Sequence, residues 1–93
     1  MIIGVLEVEI FIPYSTSIKE KRFIVKSIKD KVKSRFNVSI AELDYHDIWQ
    51  RSKIGFACLG NSVNYINGQL IELLKFLEED KRFEITTHKI SWL

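Results

Sequence analysis

The sequence has few of the residues that interrupt or crosslink a chain: one proline, four glycines and one cysteine among 93 residues. A single cysteine excludes an internal disulfide framework and a zinc site built from several cysteines. We find no linker-like segment, repeat or low-complexity stretch. A length of 93 residues suits one hydrophobic core. We therefore predict a single domain over residues 1–93.

Long hydrophobic runs are also missing, since none approaches the roughly 18 residues of a membrane span. The longest run, Ile2–Leu6, is ended by Glu7, and no basic segment of a signal peptide precedes it. Hydrophobic residues make up 46% and charged residues 28%, which is typical of globular proteins and not of disordered ones. With the unpaired Cys58, this composition predicts a cytoplasmic protein that has no membrane partner.

The positive charge is concentrated in one segment. The formal net charge is only +2, but residues 19–35 carry eight basic and two acidic side chains, a net charge of +6. The remaining residues carry six basic and ten acidic side chains, a net charge of −4. Such a field attracts polyanions, although a basic helix face is also a common way to remain in solution.

Hydrophobic spacing predicts six short elements. Alternation predicts strands over Ile2–Ile12, Val38–Leu43, Lys53–Leu59 and Arg82–Trp92. Helical spacing predicts one helix from Ser17 to Phe36, and a second that follows the turn Gly60-Asn61-Ser62 and continues to Leu77. The order βαββαβ is typical of a ferredoxin-like α+β sandwich. Two helices then cover one face of a four-stranded antiparallel sheet with strand order 4-1-3-2.

Four local signals refine this prediction. Ser17 and Glu20 form a capping box at the start of the first helix, and Asn37 is expected in the left-handed conformation at its end. Weak alternation at Ala41-Glu42 predicts a bulge or an edge strand. Gly68, which lowers helix stability by about 1 kcal/mol relative to alanine, predicts a close contact with the sheet or the first helix.

The uncovered face of the sheet is expected to be apolar on its first strand. Ile3, Val5 and Phe11 alternate with the core residues of that strand and therefore lie on the open face. Exposed apolar surface of this kind favours either a homodimer, with these three residues in the interface, or the binding of a flat ligand.

The topology predicts that the loops 13–18, 44–52 and 78–82 meet at one end of the domain. Lys19, Lys21 and Arg22 lie in the first turn of the first helix, where the macrodipole disfavours cations. Free backbone N–H groups beside three cations would bind an anion such as phosphate, and Lys26 extends the cluster. The alternative is a solvated polar face. We further predict that Arg51 converges with these residues.

Trp49, Gln50 and Arg51 lie in the loop between the second and third strands. A tryptophan beside an arginine and a glutamine could bind a nucleobase or form a protein-binding hot spot. We favour a different interpretation, in which Trp49 folds back onto the end of the core and Arg51 covers the indole ring, because large aromatic residues are usually buried. Arg51 remains free to bind phosphate in either case.

The remaining reactive side chains give weak signals. Asp44, His46 and Asp47 have metal-ligand chemistry, but a polar turn explains them equally well, and we predict no metal and no cofactor. Cys58 alternates with core residues and is predicted to be buried. No catalytic constellation is recognisable, so we predict that the protein is not an enzyme. The loop 13–17 also lacks the arginine or glycine that an acyl-phosphate hydrolase of this fold would use.

Three segments resemble the YlxP-like family of small bacterial proteins (domain of unknown function 503). They are Ser17-Ile18-Lys19-Glu20-Lys21-Arg22, Arg35-Phe36-Asn37-Val38-Ser39-Ile40-Ala41-Glu42 and Asp47-Ile48-Trp49-Gln50-Arg51. The resemblance covers essentially the whole chain and implies the ferredoxin-like fold. Members often lie near genes of translation initiation and ribosome maturation, which implies an RNA or ribosome partner by association. The family has no assigned catalytic residues.

These observations favour a cytoplasmic protein that binds structured RNA, such as ribosomal RNA, mainly through phosphate contacts. We expect no DNA sequence specificity. The RNA-recognition motif of the same fold is unlike this chain, because Cys58 replaces a required aromatic residue. The predicted RNA-binding residues are Lys19, Lys21, Arg22, Lys26, Trp49, Gln50 and Arg51. The alternative is a structural or regulatory homodimer that binds a small anion or a protein.

Overall fold

The structure, a computed structural model that describes all 93 residues, contains the six predicted elements. They are β1 (Ile2–Phe11), α1 (Ile18–Arg35), β2 (Ser39–Asp44), β3 (Arg51–Gly60), α2 (Val63–Glu78) and β4 (Glu84–Trp92). All strand pairs are antiparallel and the sheet order is β2-β3-β1-β4. This is the predicted order counted from the other edge, so the ferredoxin-like α+β fold is confirmed. Neither helix is both long and apolar enough to cross a bilayer.

The core lies between the sheet and the two helices. Along β1 the even-numbered side chains Leu6, Val8 and Ile10 are fully buried, while the odd-numbered ones point to the open face. The helices bury matching stripes, which consist of Val25, Ile28 and Val32 on α1, and Ile66, Leu70, Leu73 and Leu77 on α2. A strand with one buried face therefore positions the odd-numbered residues of β1 for contacts outside the domain.

The start of α1 agrees with the predicted cap. The Ser17 hydroxyl accepts a hydrogen bond from the Glu20 N–H at 3.1 Å. The Glu20 carboxylate accepts the Thr16 N–H at 2.8 Å and the Thr16 hydroxyl at 3.0 Å. Both bonds lower the pKa of Glu20, and the bond from the Thr16 N–H has the larger effect. The capping box therefore closes on Thr16, one residue earlier than the motif requires.

The end of α1 differs from the prediction for Asn37. The helix ends at Arg35, and the extended Phe36 (φ −127°) donates its N–H to the Val32 carbonyl at 2.8 Å. Tyr45 (φ 62°) is the one non-glycine residue with a positive φ. An extended cap that retains a bond to the last turn makes a left-handed residue at position 37 unnecessary.

The predicted irregularity of β2 is confirmed. The strand lies at an edge of the sheet, and its register with β3 shifts between Glu42 and Asp44. Such a shift re-aims the side chains that follow it. The shift lies directly before Tyr45 in the chain.

The prediction of a close contact at Gly68 is wrong. A Cβ atom built there meets no other atom within 4 Å, and the residue is exposed. No internal packing therefore requires a glycine at this point of α2.

Gly68→Ala should raise the free energy of unfolding by about 0.5–1 kcal/mol, because alanine has the higher helix propensity and nothing obstructs its methyl group. For a domain of this size the melting temperature should rise by about 2–8 °C. A thermal melt of both proteins checks this. A lower melting temperature would show that position 68 requires a conformation that alanine cannot adopt.

Candidate nucleic-acid interface

Five basic side chains form a cationic stripe along one flank of α1. The stripe consists of Lys19, Arg22, Lys26, Lys29 and Lys33. Their spacings of three and four residues place them on the same side of the helix over roughly 21 Å, at a rise of 1.5 Å per residue. Four are exposed and Lys29 is half-buried. The stripe has one acidic partner, Asp30, whose carboxylate lies 2.9 Å from the Lys26 ammonium.

The cationic stripe lowers the stability of its own helix. Like charges three or four residues apart destabilise a helix by about 0.2–0.5 kcal/mol per pair. Lys19 and Arg22 also lie near the helix N-terminus, where the macrodipole opposes cations. The arrangement is therefore unfavourable in the isolated domain and would be relieved by a bound polyanion.

The structure corrects the prediction for Lys21, which is fully buried and does not belong to the cationic stripe. Its side chain is 0% exposed, and its Nζ lies 2.9 Å from Glu42 Oε2. The same ammonium group donates a hydrogen bond to the Tyr45 carbonyl. Lys21 occupies the inward face of α1 with Val25 and Ile28, so it cannot reach an external phosphate.

Glu42 completes this internal cluster. Its Oε2 accepts the Ser52 hydroxyl at 2.5 Å as well as the Lys21 ammonium. Burial would raise the pKa of Glu42, but the hydrogen bonds from Ser52 and Lys21 and the Lys21 charge together lower it below its usual value. The cluster therefore joins α1, β2 and β3 with a charged and fully hydrogen-bonded contact, and its role is structural.

Tyr45 connects the two faces of the sheet. Its carbonyl faces the buried Lys21, while its hydroxyl donates to Glu9 Oε1 at 3.0 Å. The Arg51 guanidinium carbon lies 4.7 Å from the centroid of the Tyr45 ring. Hydrogen bonds from Thr87 and Tyr45 lower the pKa of Glu9. The sequence contains no signal for this role, because it depends on the left-handed backbone at Tyr45.

The predicted convergence of Arg51 with the start of α1 is wrong. Arg51 begins β3 and pairs with Phe11, a residue of the open face, whereas α1 covers the opposite face. Its guanidinium lies over Tyr45 and not over the indole of Trp49. The sheet therefore separates Arg51 from the cationic stripe.

Trp49 is exposed, contrary to the interpretation that we favoured from the sequence. Its exposed fraction is 52%, and Tyr14 is exposed as well. Gln50 has a different role from the one predicted: its Nε2 donates to the Pro13 carbonyl at 3.2 Å, and its carbonyl accepts the Ile12 N–H at 2.8 Å. These bonds confirm that the loops 13–18 and 44–52 meet, and each of the two loops carries an exposed aromatic residue.

The third loop of the predicted cluster contacts α1 further along. Arg82 donates to Ser27 at 3.1 Å, and its Nη2 lies 2.6 Å from Asp80 Oδ2. The hydrogen bonds from Arg82 lower the pKa of Asp80 despite its partial burial. This loop therefore braces the middle of α1 and not its start.

The residues with metal-ligand chemistry are dispersed. No group of three His, Cys, Asp or Glu side chains is placed to hold a metal ion, and the Asp44 carboxylate accepts the Tyr45 N–H at 2.7 Å. Cys58 is buried, as predicted, and this burial raises the pKa of its thiol.

The fold and the cationic stripe define a small ferredoxin-like α+β domain with a basic outer helix. The chain belongs to the bacterial family described as protein of unknown function (DUF503), whose model matches residues 3–90. It is 37% identical over 90 residues to the uncharacterized protein YlxP of Bacillus subtilis (strain 168). The aligned residues cover 97% of this chain and 98% of that protein. These comparisons confirm the family resemblance of the three segments described above.

Proposed function

We propose that this chain is a cytoplasmic RNA-binding protein, that it has no enzymatic activity, and that it holds the phosphates of structured RNA along the cationic stripe of α1. The observation that carries the proposal is the 3-4-3-4 spacing of Lys19, Arg22, Lys26, Lys29 and Lys33 on one exposed flank. A linear row of cations matches the linear charge of a nucleic-acid backbone, and phosphate contacts supply most of the affinity of such complexes.

Two exposed aromatic residues supply a second kind of contact. Trp49 and Tyr14 lie on two loops that are joined by the hydrogen bond from Gln50 to Pro13, and the loop of Tyr14 leads into α1. Stacking of an unpaired base on an aromatic side chain contributes about 1–3 kcal/mol. RNA that carries a loop or a bulge offers such bases next to a duplex backbone. The combination therefore favours RNA with unpaired bases over a regular duplex. The genomic context that the family resemblance implies also favours an RNA or ribosome partner.

The test compares two variants that lose the same charge. One carries Arg22→Gln, Lys26→Gln and Lys29→Gln on the stripe, and the control carries Lys31→Gln, Lys75→Gln and Lys81→Gln, which lie outside both the stripe and the open face of the sheet. Binding of an RNA stem-loop is titrated at several salt concentrations. We expect the stripe variant to bind at least tenfold more weakly, with a log–log salt slope smaller by about 0.9 for each lost contact. The control should retain most of the affinity and the slope.

Three results would contradict the proposal. One is equal loss of affinity in the stripe variant and its control, which would indicate a nonspecific effect of net charge. Another is the absence of measurable stem-loop binding by the wild-type protein at about 50 mM salt, where phosphate contacts are strong. The third is equal affinity for the stem-loop and for a DNA duplex of the same length.

A further inference from the structure

The open face of the sheet is organised in rows that run across the strands. The register pairs Ile3 with Leu59, Val5 with Ala57, Glu7 with Gly55, Glu9 with Lys53 and Phe11 with Arg51. On the other side of β1, Ser91, Lys89 and Thr87 continue these rows. Each row therefore has a defined residue on β1 and a defined residue on β3.

One end of this face carries no charged side chain. The two rows at that end contain Ile3, Val5, Ala57 and Leu59, and Leu93 extends the first row by donating its N–H to the Ile3 carbonyl at 3.0 Å. Leu59 is 58% exposed and Leu93 is 84% exposed. Contiguous apolar surface of this kind marks an interaction site.

Leu43 widens the apolar end from the edge strand. Its side chain lies against Gly55, where a Cβ atom would approach Leu43 Cδ1 to 2.8 Å. The glycine therefore creates the groove that Leu43 fills. Together with Val5 and Ala57, Leu43 lines a shallow apolar depression on the open face.

The other end of the face separates the two signs of charge by strand. The acidic residues Glu7 and Glu9 lie on β1, and the basic residues Lys53 and Arg51 lie on β3. Lys53 and Glu7 are already close, with 3.7 Å between Nζ and Oε1. A surface with this pattern matches its own image when β1 of one copy lies opposite β3 of another.

We infer that the open face binds a second copy of this chain about a twofold axis that runs parallel to the strands, between β1 and β3. Rotation about that axis places Ile3 over Leu59 of the second copy and Val5 over its Ala57. It also places Glu9 over Lys53 of the second copy. Apolar rows then meet apolar rows and each acidic residue meets a basic or neutral one, which is the self-complementarity that an isologous interface requires.

The size of the face is sufficient for such a dimer. Four strands of six to ten residues, spaced by about 4.8 Å and rising by about 3.3 Å per residue, give an outline of roughly 550 Å². Specific interfaces begin at about this area per partner. Two sheets pack face to face at about −30°, so the correspondence between rows is closest near the crossing point.

The dimer leaves the proposed RNA-binding surface accessible. Both helices cover the opposite face of the sheet, so the cationic stripe of each copy lies on the outside of the dimer. The two proposals rest on different residues and different faces. Failure of one therefore does not entail failure of the other.

The first test introduces a charge into the apolar end. Leu59→Lys should weaken dimerisation at least tenfold in sedimentation experiments, because each interface would bury two unpaired ammonium groups. Tyr65→Lys is the matched control, since Tyr65 is 59% exposed but lies on α2. Leu59 is itself exposed, so both variants should remain folded in thermal melts. Wild-type protein that is monomeric at 100 μM, or equal weakening by both variants, would overturn the inference.

The second test uses the opposite charges of β1 and β3. Glu9→Lys alone and Lys53→Glu alone should each associate at least tenfold more weakly than the wild type, because like charges then face each other across the axis. An equimolar mixture of the two variants should form heterodimers with an affinity within threefold of the wild type. Local damage within each chain persists in the mixture and cannot produce this recovery. A mixture that stays monomeric would overturn the proposed axis.

Discussion

Lys21→Met should lower the free energy of unfolding by about 3–5 kcal/mol, the usual effect of removing one partner from a buried ion pair. Methionine fills a similar volume, so the loss is electrostatic and not due to a cavity. The Glu42 carboxylate, 16% exposed, would lose the ammonium group 2.9 Å away. The Tyr45 carbonyl would lose its donor as well. In a domain of this size the melting temperature should fall by about 15 °C or more.

The difference between Lys21→Met and the wild type should depend on pH. The pKa of Glu42 is lowered in the wild type, so its contribution to stability is present above its ordinary pKa of 4.5 and disappears as the pH falls through the folded value. Without Lys21, burial raises the pKa of Glu42, and protonation stabilises the folded variant. The two stabilities should therefore converge as the pH falls below about 5. A constant difference over that range would contradict the assigned ion pair.

A double variant separates charge from packing. Lys21→Met with Glu42→Gln removes both charges while the glutamine oxygen still accepts the hydroxyl of Ser52. Because a buried pair of neutral groups needs no counter-charge, much of the stability lost in Lys21→Met should return. Urea unfolding of the two single variants and the double variant measures the coupling. Simple addition of the two losses would show that Lys21 and Glu42 act independently.

Gly4→Val should destabilise the domain by about 3 kcal/mol through overpacking. A Cβ atom at Gly4 would lie 2.6 Å from Ile66 Cγ2, 2.9 Å from Trp92 Cζ3 and 3.1 Å from Leu70 Cδ1. Ile66 and Leu70 are fully buried, so α2 would have to move away from the sheet. Glycine at this position therefore sets the distance between α2 and β1.

The control for Gly4 lies in the same chain. The addition of a methyl group at Gly68, where space is open, is expected to stabilise the domain, whereas additional atoms at Gly4 should destabilise it. Ile66→Ala should offset part of the loss in Gly4→Val, because the two side chains would otherwise compete for one volume. Chemical denaturation of the single and double variants checks both expectations. Destabilisation that is strictly additive would rule out a steric conflict with Ile66.

The fold was predictable because its signals are local and periodic. The alternation of β1, the Ser17 cap and the irregularity of β2 each depend on a few neighbouring residues, and the topology rules then leave one economical arrangement. The inward position of Lys21 also had a signal. Lys21 falls in the 3-4-3-4 series of Ile18, Val25, Ile28 and Val32, so helical spacing assigns it to the buried face.

The candidate site was less predictable because it depends on contacts between distant segments. Lys21 meets Glu42 and Tyr45 only through the tertiary fold, and the left-handed conformation of a tyrosine is uncommon. The sequence interpretation placed Arg51 in a loop, but Arg51 is the first residue of β3. Because side chains alternate along a strand, Arg51 lies on the open face of the sheet, away from α1. Element boundaries thus decided which cations could act together.

The burial of Cys58 makes its thiol a probe of the opening of the domain. Cys58 is 4% exposed on β3, opposite Gly4 on β1, and burial raises the pKa of its thiol. A disulfide reagent therefore finds neither an accessible sulfur nor a reactive thiolate in the folded chain. Labelling must wait until β3 separates from the helices, and central strands open with free energies close to that of global unfolding. The rate of modification of this one sulfur therefore reports the opening of the whole fold, without any engineered probe.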